Sequence, residues 1–94
     1  MTVARITTLR FKTKEGADQI EETYKTNAPD EFSEAEQLLE VRVDETTLLF
    51  VSLYTDNEAM ERASAARTKR MDLNKDLIES MDGKTGEVIL NHSN

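Results

Sequence analysis

The stretch that decides the fold is "LLEVRVDETTLLFVSLYT", residues 38–55. It reads as two short strands around a turn, because runs rich in Leu, Val, Phe and Tyr flank the polar "DETT". Successive strand residues point to opposite faces, so Leu49, Val51 and Leu53 share one side and Leu48, Phe50 and Tyr54 the other. A small antiparallel sheet normally keeps one face wet. Here both faces are apolar, and the second needs a cover: a helix layer, a bound ligand or another copy of the chain. The connection has neither Asn-Gly nor Asp-Gly, which predicts a loop of about four residues rather than a tight two-residue turn.

Upstream, "VARITTLRF" (3–11) is a strand by its β-branched and aromatic content, and "KTKEG" is a polar turn. A helix follows, with Ala17, Ile20, Tyr24 and Ala28 on one buried stripe and Pro29 ending or kinking it at Ala28. Past the proline, "DEFSEAEQLL" predicts a second short helical turn with Ser33 and Glu36 at capping-box spacing and Phe32 packed back on the sheet.

Downstream of Tyr54 the pattern turns helical again. Thr55 and Glu58 have capping-box spacing, and Ala59, Met60, Ala63 and Ala66 begin an apolar stripe. A single rod to Met81 would be about 40 Å long at about 1.5 Å per residue, longer than a strand of about eight residues can support. A break is therefore expected in "TKRMDLN", with Asp72 or Asn74 capping a further segment that carries Leu77, Ile78 and Met81. "DGKTG" should stop that segment and "EVILNH" form the last strand. The order is β-α-β-β-α-β within one domain, 1–94. This is the ferredoxin-like α+β arrangement: a four-stranded antiparallel sheet with both helices on one face. Its other face, apolar along the third strand, is left bare, and small monomers seldom expose a contiguous apolar patch above a few hundred Å².

Composition narrows the function classes. Ninety-four residues bury only about 60 to 65% of the surface of the unfolded chain, so the chain's own core is small. There is no cysteine, hence no disulfide framework or thiolate site, which favours a reducing, cytoplasmic setting. The start, "MTVARITTLRFK", lacks the apolar core of a targeting segment, and no window approaches a membrane span. Nineteen acidic residues against twelve basic ones, net −7, argue against nucleic acid as a partner. The one basic cluster, Arg67, Lys69 and Arg70, reads as a solvated helix face paired with Glu58, Glu61 and Asp72, with anion binding as the alternative. No Gly-rich phosphate loop, nucleophile elbow or His pair is present, and with His92 as the only imidazole no tight transition-metal site is expected.

The element order, the "FKTKEG" turn before the first helix, and "LYTDNEAMERA" leading from the third strand into the second helix resemble the dimeric α+β barrel superfamily. Within it the likeness is to antibiotic biosynthesis monooxygenase domains. The resemblance implies a homodimer whose sheets pack face to face; which face of the third strand meets the partner is open. It also implies a cofactor-independent monooxygenase acting on a small aromatic or quinone-like metabolite. The haem-degrading branch uses an Asn, Trp and His constellation; this chain has no Trp, and Thr7 and Thr8 stand where the Asn would be sought.

Cofactor-free oxygenation needs an electron-rich substrate held in place, its proton removed, and water excluded. The candidate polar groups are Tyr54 and Tyr24 as donors, Asn27 to orient a carbonyl, Arg67 for a phenolate and His92 as a base. Each has a plainer role: tyrosines packed in a core, Asn27 at a helix end, His92 in a frayed terminus, Arg67 in a surface ion pair. A non-catalytic dimeric binding or structural protein is the second functional reading.

Overall fold

The computed structural model describes residues 1–94. Strand β1 (Val3–Phe11) leads into helix α1 (Lys14–Glu31), the hairpin strands β2 (Gln37–Asp44) and β3 (Thr47–Tyr54), helix α2 (Asn57–Asn74), a 3-10 turn (Lys75–Leu77) and β4 (Ile78–Glu87). The sheet order is β2-β3-β1-β4 and every pairing is antiparallel. This is the ferredoxin-like order expected from sequence.

Both helices lie on one face. The stripe Ala17, Ile20, Tyr24 and Ala28 is buried along α1, and Ala59, Met60 and Ala63 are buried along α2. Alanines at these contacts let the helix backbones come close to the sheet, where Leu9, Phe11, Leu48 and Phe50 fill the layer between. The opening question is settled for one face: Leu48 is 0% exposed, Phe50 7% and Tyr54 1%. The opposite face stays open, with Ile6 42% exposed, Leu39 47% and Val41 46%, beside half-buried Leu49, Val51 and Leu53.

Several local expectations are corrected. Pro29 does not end α1 at Ala28, since the helix runs on to Glu31 with the proline in its last turn. A missing N–H so near the end removes one bond, and the Phe32 N–H still donates to the Ala28 carbonyl at 2.8 Å. No second helical turn follows; residues 32–36 form a turn in which Phe32 is buried as anticipated.

The hairpin connection is two residues, Glu45 and Thr46, not four. Asp44 takes over the role of a turn glycine: its Oδ1 accepts the Thr46 N–H at 2.9 Å, while the Arg42 guanidinium donates to the Asp44 and Glu45 carbonyls. A register irregularity between Arg42 and Asp44 absorbs the twist, and no residue adopts positive φ.

Helix α2 is capped by Asp56, one residue after the expected Thr55; Asp56 Oδ1 accepts the Ala59 N–H at 2.8 Å. It ends at Asn74, inside the expected break, but the second helical segment is only the 3-10 turn. Ile78 and Met81 belong to β4, which also contains "DGKTG", whereas "EVILNH" lies beyond it except for Glu87. As an edge strand exposed nearly throughout, β4 has no buried alternation to mark it. The basic cluster also pairs differently: Arg70 contacts Glu31 at 2.8 Å, and Arg67 turns toward the sheet.

Candidate functional site

Between the sheet and the helices lies a cleft enclosing about 40 Å³. Its floor comes from the covered side of the strand alternation. On β1 that side carries Val3, Arg5, Thr7, Leu9 and Phe11, and on β3 it carries Leu48, Phe50, Ser52 and Tyr54. Arg5 lies directly opposite Ser52, and Thr7 opposite Phe50. The cleft therefore opens where polar residues interrupt two otherwise apolar half-strands.

The roof is Ile20 and Tyr24 from α1 and Arg67, Arg70 and Met71 from α2, with Asn74 at its end. The Tyr24 ring meets Phe50 edge-on at 4.6 Å between centroids, and the Arg70 guanidinium lies 5.4 Å from the Tyr24 centroid. Burial raises the Tyr24 phenol above its ordinary pKa, with Ser52 acting in the opposite sense. Arg67 Nη2 donates to Thr7 Oγ1 at 3.3 Å and approaches Met81 Sδ at 3.8 Å. Burial, and then repulsion from Arg5, lower the Arg67 pKa from its ordinary value. A guanidinium nevertheless stays charged at any physiological pH.

Three of the five residues singled out from sequence, Tyr24, Tyr54 and Arg67, line this one cleft. The other two do not. Asn27 is exposed on the outer side of α1, and His92 is exposed beyond the end of β4, so the only imidazole is not among the lining groups. Sequence reasoning missed Arg5, Ser52 and Thr7 as a set. The signal was available: each sits in the register of buried neighbours, where alternation calls for an apolar side chain. Nowhere do three or more His, Cys, Asp or Glu side chains converge as a metal would require.

No family model and no curated protein matches the sequence. Solved structures do match, at low identity. A dimeric ferredoxin-like protein from an uncultured marine organism superposes with a TM-score of 0.80 at 9% identity, covering 99% of this chain and 92% of its own. A candidate antibiotic biosynthesis monooxygenase from Chloroflexus aurantiacus gives 0.77 at 8%, covering 99% and 98%. A variant of SnoaB, a cofactor-independent oxygenase from Streptomyces nogalater, gives 0.69 at 14%, covering 96% and 95%. A further match, NE2512 from Nitrosomonas europaea, is a protein of unknown function. The chain thus has the ferredoxin-like fold of these proteins, the one its resemblance to antibiotic biosynthesis monooxygenase domains implied. No helix is long and apolar enough to cross a membrane.

Proposed function

We propose that the chain is a single-domain, cytoplasmic homodimer that oxygenates a small aromatic or quinone-like metabolite without a cofactor. The observation that carries this reading is the convergence of Tyr24, Tyr54, Ser52 and Arg67 in one cleft whose apolar walls are Phe, Leu, Ile and Met. An apolar cleft holds a ring, and a few fixed donors orient its oxygens. The SnoaB match, a cofactor-independent oxygenase on the same fold, adds an analogy of fold.

The chemistry this arrangement suits begins with an acidic C–H beside a phenol or ketone. Loss of that proton leaves a carbanion delocalised onto oxygen, which a tyrosine hydroxyl stabilises as an enolate or phenolate while Arg67 holds the substrate in place. The carbanion gives its electrons to O₂ and forms a C–O bond to a peroxide. Loss of the second hydrogen from the same carbon then breaks the O–O bond, leaving one oxygen as a carbonyl and releasing the other as water, so the CH₂ carbon supplies all four electrons. No carboxylate or imidazole lines the cleft, so the proton is taken by solvent or by the substrate's own phenolate. The homodimer reading rests on the apolar open face of the sheet and on the dimeric marine ferredoxin-like match.

A non-catalytic small-ligand binder is the second reading, favoured by the small enclosed volume of about 40 Å³, which holds only a few waters until Arg70 or Met71 moves. Oxygen consumption on a panel of anthrones and hydroquinones separates the two. Turnover that falls at least tenfold in Arg67→Gln supports the oxygenase. Saturable ligand binding without oxygen uptake by any substrate leaves the binder.

A further inference from the structure

Three arginines reach the cleft and no Asp or Glu lines it, in a chain with nineteen acidic residues. The other paired guanidiniums follow the usual pattern. Arg42 holds Asp18 and Glu21, Arg62 holds Glu34 through three contacts of 2.7 to 3.0 Å, and Arg70 holds Glu31. Arg5 and Arg67 differ. Arg5 donates to Ser64 Oγ at 3.1 Å and Arg67 to Thr7 Oγ1 at 3.3 Å, both neutral oxygens, and neither has a carboxylate within ion-pair distance.

Two half-buried cations facing one cleft repel each other, and the Arg67 cation is disfavoured first by burial and then by the charge of Arg5. Such a pair is not a stabilising feature of the empty fold. Counter-charge was easy to supply from so acidic a sequence, yet the local structure makes room for the cation instead. Gly83 on β4 lies opposite Thr7, and a Cβ at that glycine would come 3.3 Å from Arg67 Nη2. A side chain at this point would press on the guanidinium and ask it to move by a few tenths of an ångström.

We infer that Arg5 and Arg67 together bind the carboxylate of an aromatic acid, whose ring enters the apolar part of the cleft beside Phe50 and Tyr24. Two forks arriving from different elements, β1 and α2, suit a group with two equivalent oxygens better than the single oxygen of a phenolate. The inference rests on the cleft being an aromatic-ligand site, as in the proposed function, but does not require that the ligand be oxygenated. It adds a class to the ligand: a ring bearing a carboxylate that stays in place through any reaction at the ring.

Calorimetric titration of the whole protein with 1-naphthoate, with 1-naphthalenemethanol as its neutral counterpart, and with ionised 2,4-dinitro-1-naphthol tests this. Naphthoate is expected to bind at least tenfold more tightly than the alcohol. Arg5→Gln and Arg67→Gln should each remove that advantage, weakening naphthoate at least tenfold more than the alcohol. Arg67→Lys, which keeps the charge and loses the fork, should recover only part of it, and it serves if the glutamine variant does not fold. Equal binding of acid and alcohol, or a naphtholate that outcompetes naphthoate, overturns the carboxylate site and leaves the aromatic cleft standing. If no aromatic probe binds, both fall.

Discussion

Each face of the sheet departs in part from the role expected of it. The face under the helices carries Arg5, Thr7 and Ser52 among its apolar residues, whereas the face with no cover carries Ile6, Leu39, Val41, Leu49, Val51 and Leu53. For a chain that works alone both departures are unfavourable, since polar groups are costly under a helix layer and apolar ones are wasted in water. Two kinds of recognition make sense of it. A flat apolar sheet suits another protein surface, while a polar break in a covered core suits a small molecule.

The largest effect should come from charging the open face. Val51→Asp is expected to cost several kcal/mol by desolvation at a sheet-to-sheet interface, converting a particle of twice the chain mass to monomer or unfolded chain in light scattering. A wild-type monomer that stays soluble at micromolar concentration would break the comparison outright. On the covered face, Leu48→Ala should cost about 2 to 5 kcal/mol, because Leu48 is wholly buried. That loss is expected to lower the denaturation midpoint without changing how the midpoint depends on protein concentration.

A smaller effect lies at Glu40, on the helix side of β2, where both carboxylate oxygens are buried without a partner. Burial, and then the negative charge of Glu21, push its pKa up to about 7. The folded chain therefore holds this proton more tightly than the unfolded chain does. Stability should fall as pH rises from about 4.5 through about 7 and then level off, by roughly 1 to 2 kcal/mol once solvent screening is allowed for. Glu40→Gln should flatten that slope and leave the variant more stable than wild type at pH 8, as denaturant titrations at several pH values would show.

The smallest structural effect should be that of Tyr54→Phe. It removes one hydroxyl, worth about 1 kcal/mol of stability at most, while affinity for an aromatic ligand is expected to fall about tenfold. An unchanged titration would take Tyr54 out of the site and narrow the polar side of the comparison to Arg5, Ser52 and Arg67.

What the sequence revealed follows where burial imposes a period. β1, β3 and the first turns of both helices each bury one stripe, so their elements and core residues could be read directly. β4 could not, because an exposed edge strand is free to contain Asp82, Gly83 and Gly86 and so imitates a loop. The hairpin was misjudged because side chains, Asp44 and Arg42, do the work usually left to glycine. At the cleft, residue type alone found Tyr24, Tyr54 and Arg67 but equally suggested Asn27 and His92, which the fold leaves in solvent. Only register separates the two groups, and register also exposes Arg5 and Ser52.

The strand order has a further consequence in time. β1 is made first but lies at the centre of the sheet, with Val3 paired to Tyr54 on one side and to Glu87 on the other. One neighbour, β3, emerges with the hairpin, and the other, β4, only after α2 is complete. The β2–β3 ribbon, joined by a two-residue turn that Arg42 clamps to α1, is the sheet's only local pairing and the natural nucleus. Pulse-labelled hydrogen exchange during refolding should protect the β2–β3 amides before those of the β1–β4 seam. Until that seam closes, β1 can pair only with β3 and keeps an open edge on its other side, and during that interval the protein is most exposed to aggregation.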